Sequence, residues 1–295
     1  MNNQLLKEKY KNFSDNDLQL ELFEACSIGN KSIVEYILNL PGFKEDIRNN
    51  HFNILLFSAC KGNHLNIIRY LLNENILKSN EELLPYLNGA LEYACMGGAL
   101  EVIRYFLRSP ELKYHSDINH NDSKALVSAC ENGKLEVVKY LLTSSELEQH
   151  ANLIVGKNDP LDWACIGGHF DVVKYILSFN EINKNKEFNI IINNAFMYAV
   201  QAEKLDIIKH LCSYPELNIR YADYEAFKTA CDRGYKEIVQ YLIFDFKMEK
   251  KEEIKEYFKD FPNQEFESMF EIRDLNNSLK NDLKINDTSK KRNKL

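Results

Sequence analysis

Apolar positions along the chain fall into short helical runs that stop and restart at a regular interval. Leu91, Ala94 and Cys95 lie on one side of a first helix, and Val102, Ile103, Phe106 and Leu107 line a second. Steps of three and four residues are the α-helical period. Gly97-Gly98 separates the two runs, and glycine supplies the positive φ that ends a helix cheaply. So short a break predicts an antiparallel helical hairpin. Aligned on an alanine, the unit recurs with anchors at Ala25, Ala59, Ala94, Ala129, Ala164, Ala199 and Ala230, in steps of 34, 35, 35, 35, 35 and 31 residues. Neither helix of a pair can bury its apolar stripe alone, so neighbouring hairpins must stack. The pattern predicts an all-α solenoid of seven helix-turn-helix repeats.

The copies include ACMGGALEVIRYFL from Ala94, ACENGKLEVVKYLL from Ala129 and ACIGGHFDVVKYIL from Ala164. With a Leu-x-x-Ala lead-in, this pattern resembles the ankyrin repeat over roughly residues 17 to 244. Asp159-Pro160-Leu161-Asp162 is similar to the family's Thr-Pro-Leu-His opening, whereas Gly89-Ala90-Leu91-Glu92 and Lys124-Ala125-Leu126-Val127 depart from it. Those copies lack the Thr–His pair and are expected to be individually weaker. The usual step of 35 residues, against the family's 33, implies longer finger loops between helix pairs. With 33 Asn, the chain also looks similar to ankyrin arrays of bacteriophages, large DNA viruses and intracellular bacteria, a likeness that implies host-protein targets.

Outside the array, residues 1–16 are expected to form an N-terminal partial cap and residues 245–284 a helical C-terminal cap. A charged helix is expected over Glu249 to Asp260. A second, after Pro262, carries Phe266, Met269, Phe270, Leu275, Leu279 and Leu283 at helical spacing. That apolar stripe either covers the last repeat or docks a partner. Residues 285–295, with Lys290, Lys291, Arg292 and Lys294, read as a disordered basic tail.

Composition narrows the chemistry. The 295 residues hold 37 Lys plus Arg against 44 Asp plus Glu, a net charge of -7. This balance argues against a dedicated nucleic-acid binder. Apolar runs such as Ile54 to Phe57 and Ile190 to Ile192 are far shorter than the ~20 residues that cross a bilayer. With no secretory signal apparent, the sequence predicts a soluble, cytoplasmic protein. Cys26, Cys60, Cys95, Cys130 and Cys165 follow the repeat period, which sets neighbours about 10 Å apart. That is too far for a disulfide and does not converge on a metal, so they are expected as core. No cofactor, metal or catalytic constellation is predicted: H-E-x-x-H, the Walker glycine loop and G-x-S-x-G are all lacking.

Three further ladders share the period. Tyr36, Tyr70, Tyr105, Tyr140, Tyr175 and Tyr241 are expected to pack between repeats rather than to stack bases. Arg69, Arg104, Lys139, Lys174 and Lys209 resemble a phosphate track, but Glu101, Glu136, Asp171 and Asp206 stand three residues earlier and are expected to neutralise it. Asn53, Asn88, Ser123, Asn158 and Asn193 either touch a ligand or satisfy backbone N–H groups as helix caps and turns. His64 and His169 follow the helix break, where the resemblance implies hydrogen bonds that tie the turn.

The resemblance further implies partner binding by finger loops and the exposed side of the first helices. The candidates two and three residues after the anchors are Ile28, Lys61, Met96, Glu131, Asn132, Ile166, Gln201, Asp232 and Arg233. Ile28, Met96 and Ile166 are apolar where water alone would favour polar residues; they either bind a partner or fold onto adjacent repeats. The loops from Ser109 (SPELKYHSDINHND) and Ser144 (SSELEQHANLIVGKN) are where specificity can vary. The expected function is a non-enzymatic protein–protein interaction scaffold that blocks or bridges its partner. The competing expectation is an adaptor subunit of an enzyme complex, its C-terminal helices docking the catalytic partner.

Overall fold

Each helix pair exists because its first helix is forced to stop. A computed structural model describes residues 3–41, 43, 51–73, 84–154, 159–222, 224–246, 248, 252–260 and 263–292. Asn158, Glu249, Pro262 and the side chains of Leu283 and Lys290 to Lys294 lie outside the described residues. The helices begin with α1 (Asn3–Tyr10), α2 (Asp15–Ile28), α3 (Lys31–Leu38), α4 (Phe52–Lys61), α5 (Leu65–Asn73) and α6 (Leu84–Gly97). They continue with α7 (Leu100–Arg108), α8 (His120–Glu131), α9 (Leu135–Thr143), α10 (Pro160–Gly167), α11 (Phe170–Leu177) and α12 (Asn180–Asn183). Last come α13 (Phe188–Gln201), α14 (Leu205–Leu211), α15 (Glu225–Asp232), α16 (Lys236–Gln240), a π-helical turn (Tyr241–Asp245), α17 (Glu252–Asp260) and α18 (Gln264–Arg292). Among the described residues there is no strand, and the fold is an all-α helical repeat.

At every anchor the fourth residue onward is left-handed: Gly29 (φ 82°), Asn63 (61°), Gly98 (81°), Gly133 (66°), Gly168 (76°), Glu203 (58°) and Gly234 (71°). The next N–H then turns back onto the anchor carbonyl, as from His64 to Ala59 and from Lys134 to Ala129, both at 2.9 Å. This is the bond of a Schellman stop, which satisfies a carbonyl the helix would otherwise orphan. The second helix starts at once and folds back. Glycine also recurs one position earlier for a different reason. A Cβ on Gly62 would sit 2.7 Å from the Ser27 carbonyl oxygen, and one on Gly167 2.5 Å from that of Glu131, so adjacent repeats touch backbone to backbone there.

The chain forms two compact units, Met1–Ser178 and Phe179–Leu295. In the first, α2, α4, α6, α8 and α10 pack side by side in order, and α3, α5, α7, α9 and α11 each lie on their own first helix. Ala25, Ala59, Ala94, Ala129 and Ala164 are buried between them, each followed by a buried cysteine. The small pair lets first helices approach closely. The described cysteines are free, and burial holds them as neutral thiols, with Cys26 pushed up to about 12. At the start, Ser14 and Asp17 form a capping box on α2, and Leu6 and Tyr10 of α1 are buried.

The second unit repeats the pairing with α13–α14 and α15–α16, after which α18 packs on α16 and the π-turn. Phe227 meets Phe258 and Phe270 edge-on, with ring centroids 6.5 and 6.0 Å away. Phe266, Met269 and Phe270 are buried, but Leu275 and Leu279 are not: they are 61% and 52% exposed. At about 100° per residue, Leu275 lies about half a turn around the helix from Phe266. The single stripe expected from sequence is therefore two faces. The backbone also remains helical to Arg292, past residue 285 where the tail was expected to begin, because no Gly or Pro lies between Gln264 and Arg292.

One helix start carries unusual charge. Asp159 is the N-cap of α10 and accepts the Leu161 N–H at 3.0 Å, with Pro160 in the first turn. Burial raises its carboxyl to about 6 against that bond. Burial, and then the neighbouring Asp159 charge, raise Asp162 to about 8.

Two outcomes are expected. Glutamate 203 holds the left-handed position without glycine's freedom, so Glu203→Gly stabilises by about 1 kcal/mol, measured by urea unfolding; a loss would show the turn is not strained. Asp159 and Asp162 bind protons more tightly folded than unfolded. Their contribution is full below the ordinary carboxylate pKa and is lost as pH rises through about 6 and about 8. Asp162→Asn therefore loses less melting temperature than the unmodified chain across that window, and parallel curves would refute the assignment.

Candidate protein-interaction face

Positions five, two and one before the anchor, and two and three after it, fall on one side of a first helix. In the first unit that side carries a line of large side chains. Leu20 and Ile54 are exposed. Phe57 stacks on Tyr93 at 4.6 Å and 11°, its ring over Gly89, where a Cβ would come within 2.7 Å of Cζ. Lysine 124 Nζ lies 5.5 Å above the Trp163 ring. Met96 and Ile166, named from sequence, are half-buried beside this line; Lys61 is exposed, and Glu131 and Asn132 are half-buried. Ile28 is 62% exposed, the clearest apolar group in open solvent on α2 after Leu20.

Sequence reasoning missed Leu20, Ile54, Phe57, Tyr93 and Trp163. The signal was available: Tyr93, Trp163 and Tyr198 all stand one residue before an anchor.

The main chain beneath this face is already committed. His64 Nε2 bonds the Ser27 carbonyl at 2.8 Å, and His169 Nε2 bonds that of Glu131 at 2.9 Å. Each histidine thus ties its turn to the preceding repeat. In the second unit Asp232 and Arg233 are exposed, yet their side chains have partners within the chain. Arg233 Nη1 donates to the Gln201 carbonyl at 2.7 Å, and Tyr257 Oη donates to the Asp232 carboxylate at 2.6 Å. Asp232 and Arg233 hold neighbouring helices together there, a role that spacing alone did not reveal.

The loop ladder resolves in a third way. Asn88 Oδ1 accepts the Asp117 N–H at 2.9 Å, Ser123 Oγ accepts Asn152 N–H at 3.1 Å, and Asn193 Oδ1 accepts Asn218 N–H at 2.8 Å. These side chains satisfy backbone donors, but those of the following loop rather than of their own helix ends. Between the loops after α7 and α9 lies a pocket of about 470 Å³ lined by Leu107, Arg108, His115, Asp117, Ile118 and Glu146 among others.

The basic ladder is neutralised partly as expected and partly by acids from other repeats. Lys139 meets Glu136 at 2.7 Å, as the i,i+3 spacing requires. Arg104 instead crosses to Glu146 at 3.2 Å and sits 5.1 Å above the Tyr140 ring, while Arg69 repeats both contacts with Glu111 at 2.9 Å and Tyr105 at 5.4 Å. A planar guanidinium satisfies a ring face and a carboxylate together, which an acid one turn away on the same helix does not allow. The tyrosines therefore serve packing between repeats. Burial, then the adjacent carboxylate, raises Tyr105 and Tyr140.

Among the described residues, no three His, Cys, Asp or Glu side chains are placed to hold a metal, and no helix is long and apolar enough to cross a membrane. No curated protein matches the chain. A family model described as ankyrin repeats (three copies) matches residues 22–122 and 91–188, together more than half of the chain. With its repeated left-handed stop, its stacked helix pairs and that match, the chain belongs to the ankyrin-repeat family, whose repeats are protein–protein interaction modules.

Proposed function

We propose that the chain is a non-enzymatic scaffold that holds a protein partner on the first-helix side of its first unit, with the finger loops as flanking contacts. The observation that supports this reading most is the line Leu20, Ile54, Phe57–Tyr93, Met96, Trp163 and Ile166. Aromatic and Met side chains left half-covered on a rigid face are the composition of an interaction hot spot. Ile28, Lys61, Glu131 and Asn132 border the line, with Gln201 beyond it; Asp232 and Arg233 contribute less, since their side chains are engaged within the chain. A preformed face loses little entropy on binding, so occupancy alone blocks or bridges the partner. Residues 17–244 are the binding array in this reading, and the helices from residue 245 close its end.

Trp163 is the sole tryptophan, which makes the face self-reporting. The chain and a Met96→Asp/Ile166→Asp variant of equal helicity are used as bait in lysate, and captured proteins are identified by mass spectrometry. The expected result is a partner kept by the unmodified chain, lost by the variant, and able to shift an emission that Trp163→Phe removes. Equal capture by both baits, with unchanged emission, would overturn this assignment.

A further inference from the structure

We propose that α18 pairs antiparallel with the α18 of a second copy of this chain, through Ile272, Leu275 and Leu279. The helix is 29 residues long, about 43 Å at 1.5 Å per residue. Its beginning is fixed by the buried Phe266, Met269 and Phe270, and by Arg273, which donates to the Met248 carbonyl. From Asp274 to Lys280 every residue is exposed. Ile272, Leu275 and Leu279, at 50%, 61% and 52% exposure, follow the i, i+3, i+7 spacing of a helix–helix seam. A projecting helix rich in Asn, Asp and Ser is marginal in water without a partner.

The charge order along the helix selects the occupant. Residues 264–274 carry Glu265, Glu267, Glu271 and Asp274 with Arg273 as the one base in the segment, and Glu265 also pairs with Lys236 of α16. Residues 280–292 carry Lys280, Lys284, Lys290, Lys291 and Arg292 against Asp282 and Asp287. The two halves therefore have equal and opposite net charge. A parallel pair would set like against like; an antiparallel pair sets each acidic half along the other's basic half and opposes the helix dipoles. Such a contact is two-fold symmetric, with Leu275 across from the second copy's Leu279. A seam about 30 Å long is small for a protein interface, so the dimer is weak and concentration-dependent.

The full chain is examined by sedimentation equilibrium over a wide range of concentration, beside a Leu275→Asp/Leu279→Asp variant matched in helicity and melting. The expected result is a mass that climbs from monomer to dimer, weakened by salt, and a variant that stays monomeric. Orientation is tested with Ile272→Cys. Antiparallel pairing leaves the two introduced thiols about 15 Å apart, beyond disulfide reach, so oxidation yields no more cross-linked dimer than the unmodified chain does. A monomer at every concentration, a dimer indifferent to the variant, or efficient Ile272→Cys cross-linking would each overturn the proposal.

Discussion

A single backbone bond organises the rest of this molecule: the N–H five residues after each anchor alanine, returning to that alanine's carbonyl. It forms only if the residue before it is left-handed, a conformation that costs ordinary residues about 1–2 kcal/mol. Glycine occupies that site in most copies, Asn63 tolerates it, and Glu203 bears the cost. Once the turn is fixed, both helices of the pair are aimed, the Ala-Cys step faces its neighbour, and stacking buries what no pair could bury alone. The closeness of neighbouring backbones at Gly62 and Gly167 is a consequence of the same geometry. His64 and His169 then bond the carbonyls that this close approach brings within reach.

Much of this was legible from the residues. The period, the helix pairs, the glycine stops and the buried cysteines follow from spacing and local backbone preference, which operate within about five residues. The misjudged features operate between repeats. Arg104 was assigned to Glu101 because both lie on one helix face; its partner Glu146 arrives from the next loop, 42 residues on. A period was visible there too, since Glu111 and Glu146 stand 35 residues apart. Asn88 and Ser123 read from sequence as ligand contacts or backbone acceptors; they accept from backbone N–H groups of loops whose path spacing does not specify. The apolar residues of α18 recur at helical spacing, yet the half-turn between Phe266 and Leu275 divides them between two faces.

The candidate face was less legible than the fold for a related reason. Burial of a first-helix side chain depends on what the neighbouring repeat places beside it. Met96 and Ile166 are half-covered, while Ile28, one position later in its repeat, stands open. Asp232 is exposed as a surface contact would be, yet its carboxylate is taken up by Tyr257, which reaches it from α17. Position within a repeat therefore identifies which side chains share a surface, and the adjacent element decides whether they are available.

The anchor-following cysteines carry an experimental consequence of their own. Cys26, Cys60, Cys95, Cys130, Cys165 and Cys231 are buried as neutral thiols, out of reach of any reagent while their helices stay packed. Modification must then wait for the local structure to open, and the reaction rate at each thiol measures how often it does. The protein thus carries a native set of clocks, one in most repeats and each at the same position beside its anchor. Timed alkylation followed by peptide mapping would show whether opening spreads inward from the ends or breaks first within the stack.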